Sequence, residues 1–251
     1  MKGDEGWDES GGMVRSVAKG PVLGLLAQIV LLGFLAFTVQ LTVAGWIAGL
    51  TVGIVVMILL SRGLSAAGAR RLGPADWVTL ARSVLVGGIT ALTVESFVGG
   101  RHAGLLVVLS ATALALDGVD GWVARRTGTA SALGAIFDQE VDAFLILVLC
   151  VFVAPSVGWW VLILGLARYL FLAAGWILPW MNDTLPPRYW RKVVAAAQGI
   201  VLTAVASGVL PGWLTVAGLV VATALLAESF GRDVWWLWRH RAQATTARLA
   251  G

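Results

Sequence analysis

Apolar runs recur along the chain at 21–39, 42–60, 73–98, 104–124, 134–154, 157–178, 192–209 and 212–231. Each is close to the roughly 20 residues that a helix needs to cross a bilayer. The pattern therefore predicts eight transmembrane helices and an all-α polytopic membrane protein. The first run starts too far in, and runs too long, for a usual signal peptide. Almost no polar sequence separates it from the second, so the two form a tight helical hairpin. In the second run Gly45, Gly49 and Gly53 recur at four-residue spacing, which permits close helix–helix approach in lipid. Packing within the protein is the expectation for that stripe, and dimerisation is the alternative. Pro74 suits the first turn of the third helix.

The polar remainder sets the boundaries. Residues 1–20 mix both charges, contain Gly11 and Gly12, and read as a disordered cytoplasmic tail. Residues 21–72 make an accessory two-helix transmembrane hairpin with a basic linker, 73–232 a six-helix membrane domain, and 233–251 a basic cytoplasmic tail. Composition agrees: the chain is 59% hydrophobic and 13% charged, with mean hydropathy +0.87. A water-soluble domain of this size would need more polar surface. The single cysteine, Cys150, lies in an apolar run, which excludes a disulfide framework and predicts a buried structural thiol.

Charge orients the helices. Arg62, Arg70, Arg71, Arg125, Arg126, Arg188, Arg191, Lys192, Arg232, Arg239, Arg241 and Arg248 fall on one side, and the opposite turns hold only Arg101. By the positive-inside bias, both termini should be cytoplasmic, in a multi-pass protein of the plasma membrane. Most tryptophans sit near predicted helix ends, as an interfacial belt requires. Trp235, Trp236 and Trp238 beside the basic tail read as an interfacial anchor. No nucleic-acid partner is expected.

Against this apolar background, residues 117–142 read DGVDGWVARRTGTASALGAIFDQEVD. Asp117 and Asp120 fall at the end of the fourth helix, and Asp138 and Asp142 at the start of the fifth. At about 100° per residue the first pair lies about 60° apart and the second about 40° apart, so each pair shares a face. Gly121 and Ala124 share the first face, and Gly134 lies one turn before Asp138. The result is a carboxylate cluster beside a patch of little bulk, where a ligand can approach the backbone. Ionisable groups in a membrane face a polar cavity or a partner, and Arg125 and Arg126 cannot neutralise four acids. Hard divalent cations can, since Mg²⁺ typically uses a few carboxylates plus substrate phosphates. The plainer alternative is a solvated polar loop between two helices.

Asp117, Asp120, Gly121, Ala124, Arg125, Gly134, Asp138 and Asp142 match the pattern D-x2-D-G-x2-A-R-x8-G-x3-D-x3-D without a gap. In this the chain resembles the CDP-alcohol phosphotransferase family. The resemblance implies a six-helix catalytic core, here with two extra N-terminal helices. It implies transfer of a substituted phosphate from a CDP-linked lipid donor, such as CDP-diacylglycerol, to an alcohol with release of CMP. It further implies that Asp117, Asp120, Asp138 and Asp142 hold two divalent cations, Mg²⁺ or Mn²⁺, with Asp142 also the general base on the acceptor hydroxyl. Gly121, Ala124, Arg125 and Gly134 would form the nucleotide pocket, with Ser131 near the donor phosphates. The family commonly opens its first core helix with proline, threonine and arginine, which makes Asp76, Thr79 and Arg82 donor-site candidates. Helix capping and an interfacial arginine are the alternative for those three. Family members are commonly homodimers.

The acceptor site is less defined. Arg168, inside the sixth segment, calls for an anion or an acid. Arg188, Arg191, Lys192 and Gln198 lie at the start of the seventh. These stretches are similar to those of phosphatidylglycerophosphate synthases in the family, which carry a K-x-K-T-x-x-Q element. Here Val194 and Ala195 stand in place of its lysine and threonine. Guanidinium groups suit a phosphorylated acceptor such as glycerol 3-phosphate. Inositol phosphate or another polyol is the alternative acceptor, and contact with anionic lipid head groups is the alternative role for Arg188 and Arg191. Glu95, deep in the third segment, has no role the sequence assigns. A transporter would scatter its acids along a path near the midplane, and an inactive scaffold would not need the full signature.

Overall fold

The computed structural model describes residues 19–66, 74–127, 132–182 and 189–249, with side chains at 19, 64–66, 74–75, 120–125, 127, 132–133, 182, 189 and 241–249 left out. The described residues form eight α-helices: α1 (Lys19–Val39), α2 (Val43–Ala66), α3 (Pro74–Val98), α4 (Ala103–Thr127), α5 (Ala132–Val157), α6 (Leu162–Ile177), α7 (Tyr189–Ala206) and α8 (Gly212–Leu249). Short 3₁₀ turns at Trp159–Val161 and Pro179–Asn182 flank α6. Every predicted apolar segment is therefore a helix. Six are long and apolar enough to cross a membrane, namely α1, α2, α3, α5, α6 and α8. Among the described residues, the apolar part of α4 covers Ala103–Val119. In α7 the charged residues Arg191 and Lys192 occupy the first turn.

The chain divides into two compact units, Met1–Asp142 and Ala143–Gly251, with the boundary inside α5. In the first unit α3 is flanked by the α1–α2 hairpin, whose tight turn places Gln40 at φ 53. The glycine stripe of α2 serves this internal packing. A Cβ on Gly49 would meet Leu32 of α1 at 2.6 Å, and one on Gly45 would meet Glu95 of α3 at 3.1 Å. On α1, a Cβ at Gly24 would strike Leu80 at 2.7 Å. Glu95 finds its partner here: its Oε2 accepts hydrogen bonds from the backbone N–H and the Oγ1 of Thr42, both at 2.8 Å. Thr42 directly precedes α2, so a buried acid of α3 satisfies an orphan donor at the start of a neighbouring helix. Phe37, Val30 and Ile47 point outward and exposed, as a lipid-facing surface would.

In the second unit, Gly165 of α6 lets that helix approach α5 so closely that a Cβ would fall 2.6 Å from the Cα of Leu147. Phe171 and Phe230 meet edge to face. The start of α7 is held by α8: Trp190 Nε1 donates to Glu228 at 2.7 Å, and Arg191 lies 3.7 Å from Asp233. Cys150 is buried and free. The last helix does not stop near 231. It continues to Leu249 through the segment expected as a tail, since no glycine or proline interrupts 232–250.

Candidate functional site

Two helix ends and one helix interior build the site. α4 carries Asp117 in its C-terminal half, while α5 presents Asp138 and Asp142 on successive turns. Carboxylate oxygens of Asp117, Asp138 and Asp142 all lie within 4.8 Å of one another. Asp138 and Asp142 thus share a face, as their spacing predicts, and it meets Asp117 of α4.

Arg82 of α3 closes the cluster from behind. Its Nη1 lies 3.0 Å from Asp117 Oδ1 and also donates to Asp138 Oδ1, while Nη2 donates to Asp142 Oδ1. The Arg82 side chain is fully buried, whereas those of Asp117, Asp138 and Asp142 keep 33%, 23% and 28% of their surface. The acids are therefore reachable from one side and the guanidinium is not. Full burial excludes an interfacial arginine. It also supplies a countercharge that the sequence reading, weighing only Arg125 and Arg126 before turning to divalent cations, did not count.

One guanidinium leaves three carboxylates short of neutral, and their oxygens stand close enough to share a hard cation. The donor set, all carboxylate oxygen and partly open, fits a divalent ion that keeps positions for substrate phosphate.

The remaining candidates are distributed as follows. Thr79 is buried one turn before Arg82, Asp76 is half-buried in the first turn of α3, and Gly134 lies one turn before Asp138. The side chains of Asp120, Gly121, Ala124 and Arg125, and residues Ser131 and Arg188, lie outside the described set. Arg168 on α6 and Arg191, Lys192 and Gln198 on α7 belong to the second unit. There Lys192 is exposed, and Gln198 is buried with no hydrogen-bond partner for its Nε2 among the described residues. Sequence reasoning placed Arg82 near the donor but missed its pairing with the aspartates. The signal that could have found it is an arginine two turns into an apolar helix, where such a charge needs acids.

Comparison with known proteins agrees with this geometry. The family model described as CDP-alcohol phosphatidyltransferase matches residues 72–226, from the linker before α3 into α8. Two curated sequences from Mycobacterium tuberculosis, strains CDC 1551 / Oshkosh and ATCC 25618 / H37Rv, are each described as "Probable phosphatidylglycerophosphate synthase". Each is 31% identical over 171 residues, covering 65% of this chain and 79% of the relative. No solved structure matches the chain. With Asp117, Asp138 and Asp142 of the signature converging in space, a family match spanning more than half the sequence makes this chain a transferase of the CDP-alcohol phosphatidyltransferase family, acting in phospholipid synthesis.

Proposed function

We propose that the protein transfers a phosphatidyl group from CDP-diacylglycerol or a related CDP-linked lipid to the hydroxyl of a small phosphorylated alcohol, glycerol 3-phosphate in the first instance, releasing CMP. The observation that carries this reading is the convergence of Asp117, Asp138 and Asp142 within 4.8 Å. Those residues, with Asp120, would hold two divalent cations, Mg²⁺ or Mn²⁺. When bound, such ions stabilise charge on both the attacking and the leaving oxygen of a displacement at phosphorus.

The chain's own groups do the rest. The Asp142 carboxylate takes the proton of the acceptor hydroxyl. That oxygen bonds to the β-phosphorus as the bond from this phosphorus to the bridging oxygen breaks, and CMP departs with the bridging oxygen. Gly121, Ala124 and Gly134 leave room for the nucleotide, while Arg125, Ser131, Asp76, Thr79 and Arg82 line the donor side. The donor's acyl chains enter from the bilayer.

In the membrane all eight helices are embedded, α3 to α8 as the catalytic core and α1–α2 as an addition before it. The arginine-rich ends and both termini face the cytoplasm at the plasma membrane, and the protein works as a homodimer. Arg168, Arg188, Arg191, Lys192 and Gln198 receive the acceptor phosphate; the Nε2 of buried Gln198, without a hydrogen-bond partner among the described residues, supports a polar ligand there. A second acceptor class, inositol phosphate or another polyol, is favoured by one observation. Val194 is buried and apolar where the glycerophosphate-type element has lysine.

The test is CMP release from CDP-diacylglycerol in detergent with Mg²⁺ or Mn²⁺, screened against glycerol 3-phosphate, inositol phosphate, serine and phosphatidylglycerol. Acceptor-dependent CMP release that Asp142→Asn abolishes is expected. No release with any CDP-linked donor and any acceptor would refute the transferase reaction for this site and favour transport or scaffolding.

A further inference from the structure

We propose that Arg82 is a built-in counter-cation of the aspartate cluster, so that its guanidinium and a divalent cation are alternative occupants of the same carboxylate oxygens. This rests on the metal-binding reading of the cluster. Nη1 stands between Oδ1 of Asp117 and Oδ1 of Asp138, and Nη2 takes Oδ1 of Asp142. These are the three residues whose oxygens lie within 4.8 Å of one another. A cation bridging those oxygens would occupy the space the guanidinium now fills, and two like charges cannot share it without strong repulsion.

The charge arithmetic points the same way. The signature supplies four aspartates, Asp117, Asp120, Asp138 and Asp142, and two divalent cations balance four carboxylates. Arg82 then carries surplus positive charge in the one place where the anionic diphosphate of a donor must come to rest. Guanidinium binds phosphate oxygens in the same forked manner as carboxylates, so it can pass from aspartate to donor without ever being buried unpaired. The backbone beneath it is fixed. Leu80 of the same turn is seated against Gly24 of α1, and farther along α3 Glu95 is bonded to Thr42. Exchange therefore needs only side-chain rotation, not a helix movement. The aspartates' partial exposure beside fully buried Arg82 gives cations a way in from the far side.

The sign of the prediction separates this role from simple support. If Arg82 merely arranged the aspartates for metal, removing it would weaken metal binding. As a competitor, its removal must strengthen binding. Mn²⁺ affinity of the purified full chain is measured by the loss of the free-ion electron paramagnetic resonance signal, for wild type, Arg82→Gln and Arg82→Lys. Arg82→Gln is expected to bind Mn²⁺ on the order of tenfold to a hundredfold more tightly, with Arg82→Lys between it and wild type. Its metal-free Tm should fall, and saturating Mn²⁺ should restore more of it than in wild type. Unchanged or weaker binding by Arg82→Gln, with wild type binding normally, overturns the competition while leaving the metal site standing. No Mn²⁺ binding by any form overturns the metal reading itself, and this inference with it. If Arg82→Gln does not fold, wild type labelled with ¹⁵N-arginine decides. Addition of Mg²⁺ should shift the side-chain Nε resonance assigned to Arg82 by loss of that signal in Arg82→Lys, and an unmoved resonance at metal saturation refutes the exchange.

Discussion

Replacing Glu95 with leucine tests how the accessory hairpin is joined to α3. The substitution puts an apolar side chain of similar size in place of the acid and removes the acceptor of two 2.8 Å hydrogen bonds from Thr42. Glu95 is only 2% exposed, so water does not readily replace it. A hydrogen bond to a charged group contributes about 1.5–3 kcal/mol in soluble proteins, and loss of a helix N-cap costs about 1 kcal/mol. Side-chain hydrogen bonds within membranes measure lower, about 0.6 kcal/mol on average and at most about 1.7 kcal/mol. Two such bonds, one of them to the helix-start N–H, give about 2–3 kcal/mol for Glu95→Leu by these scales. Thr42→Val removes only the hydroxyl bond and should cost about 1 kcal/mol, most of which reappears as coupling in the double variant. Gly99 provides an independent lever. A Cβ there would collide with Glu95 Oε1, so Gly99→Ala must turn the carboxyl away from Thr42 and reproduce much of the same loss. Reversible unfolding in mixed detergent and sodium dodecyl sulfate, followed by tryptophan fluorescence, measures all four. A Glu95→Leu variant within about 0.5 kcal/mol of wild type, the range of an inconsequential surface change, would refute the clamp. So would additivity of Glu95→Leu and Thr42→Val.

Gly165→Ala should cost about 1–3 kcal/mol by overpacking, because the added methyl meets the Leu147 backbone at 2.6 Å and no rotamer relieves it. Gly33→Ala, with nothing within 4 Å, should be neutral or gain up to about 1 kcal/mol from helix propensity; the same unfolding assay compares them. Gln28→Met should stabilise the protein by about 1 kcal/mol, since both amide atoms of Gln28 are buried without a hydrogen-bond partner among the described residues and such groups cost about 1–3 kcal/mol. A thermal shift in the opposite direction would mean that an ordered water satisfies the amide. Asp142→Asn should lower kcat for CMP release by about 10²–10⁴-fold, the usual worth of a general base, and chelator treatment of wild type should abolish turnover until Mg²⁺ or Mn²⁺ is restored.

Helical periodicity was enough to bring Asp117, Asp138 and Asp142 together, because face sharing within each helix survives whatever angle the two helices adopt. It was also enough to locate all eight helices, since apolar runs of bilayer length have few other solutions. What escaped the sequence was the identity of partners far along the chain. Glu95 answers Thr42 across 53 positions, and Arg82 answers Asp138 and Asp142 across 56 and 60. Nearby Arg125 and Arg126 drew the charge argument because adjacency in sequence is visible and adjacency in space is not. The glycine stripe shows the same limit: its period named a face of α2, and only the fold named Leu32, Gln28 and Glu95 as what covers it. The apolar run to 231 marked a span and not the length of α8, because charged residues without glycine or proline continue a helix.

That long last helix has a mechanical consequence. At 38 residues it is about 57 Å of rod, nearly twice the thickness of a bilayer's oily interior. Near the point where its apolar part gives out, Trp235 stacks on Trp238 and Arg239 lies over the Trp235 ring. Such a collar resists both sinking and rising, so it works as a depth gauge. The rod continues beyond that collar to Leu249, farther than one oily layer can cover.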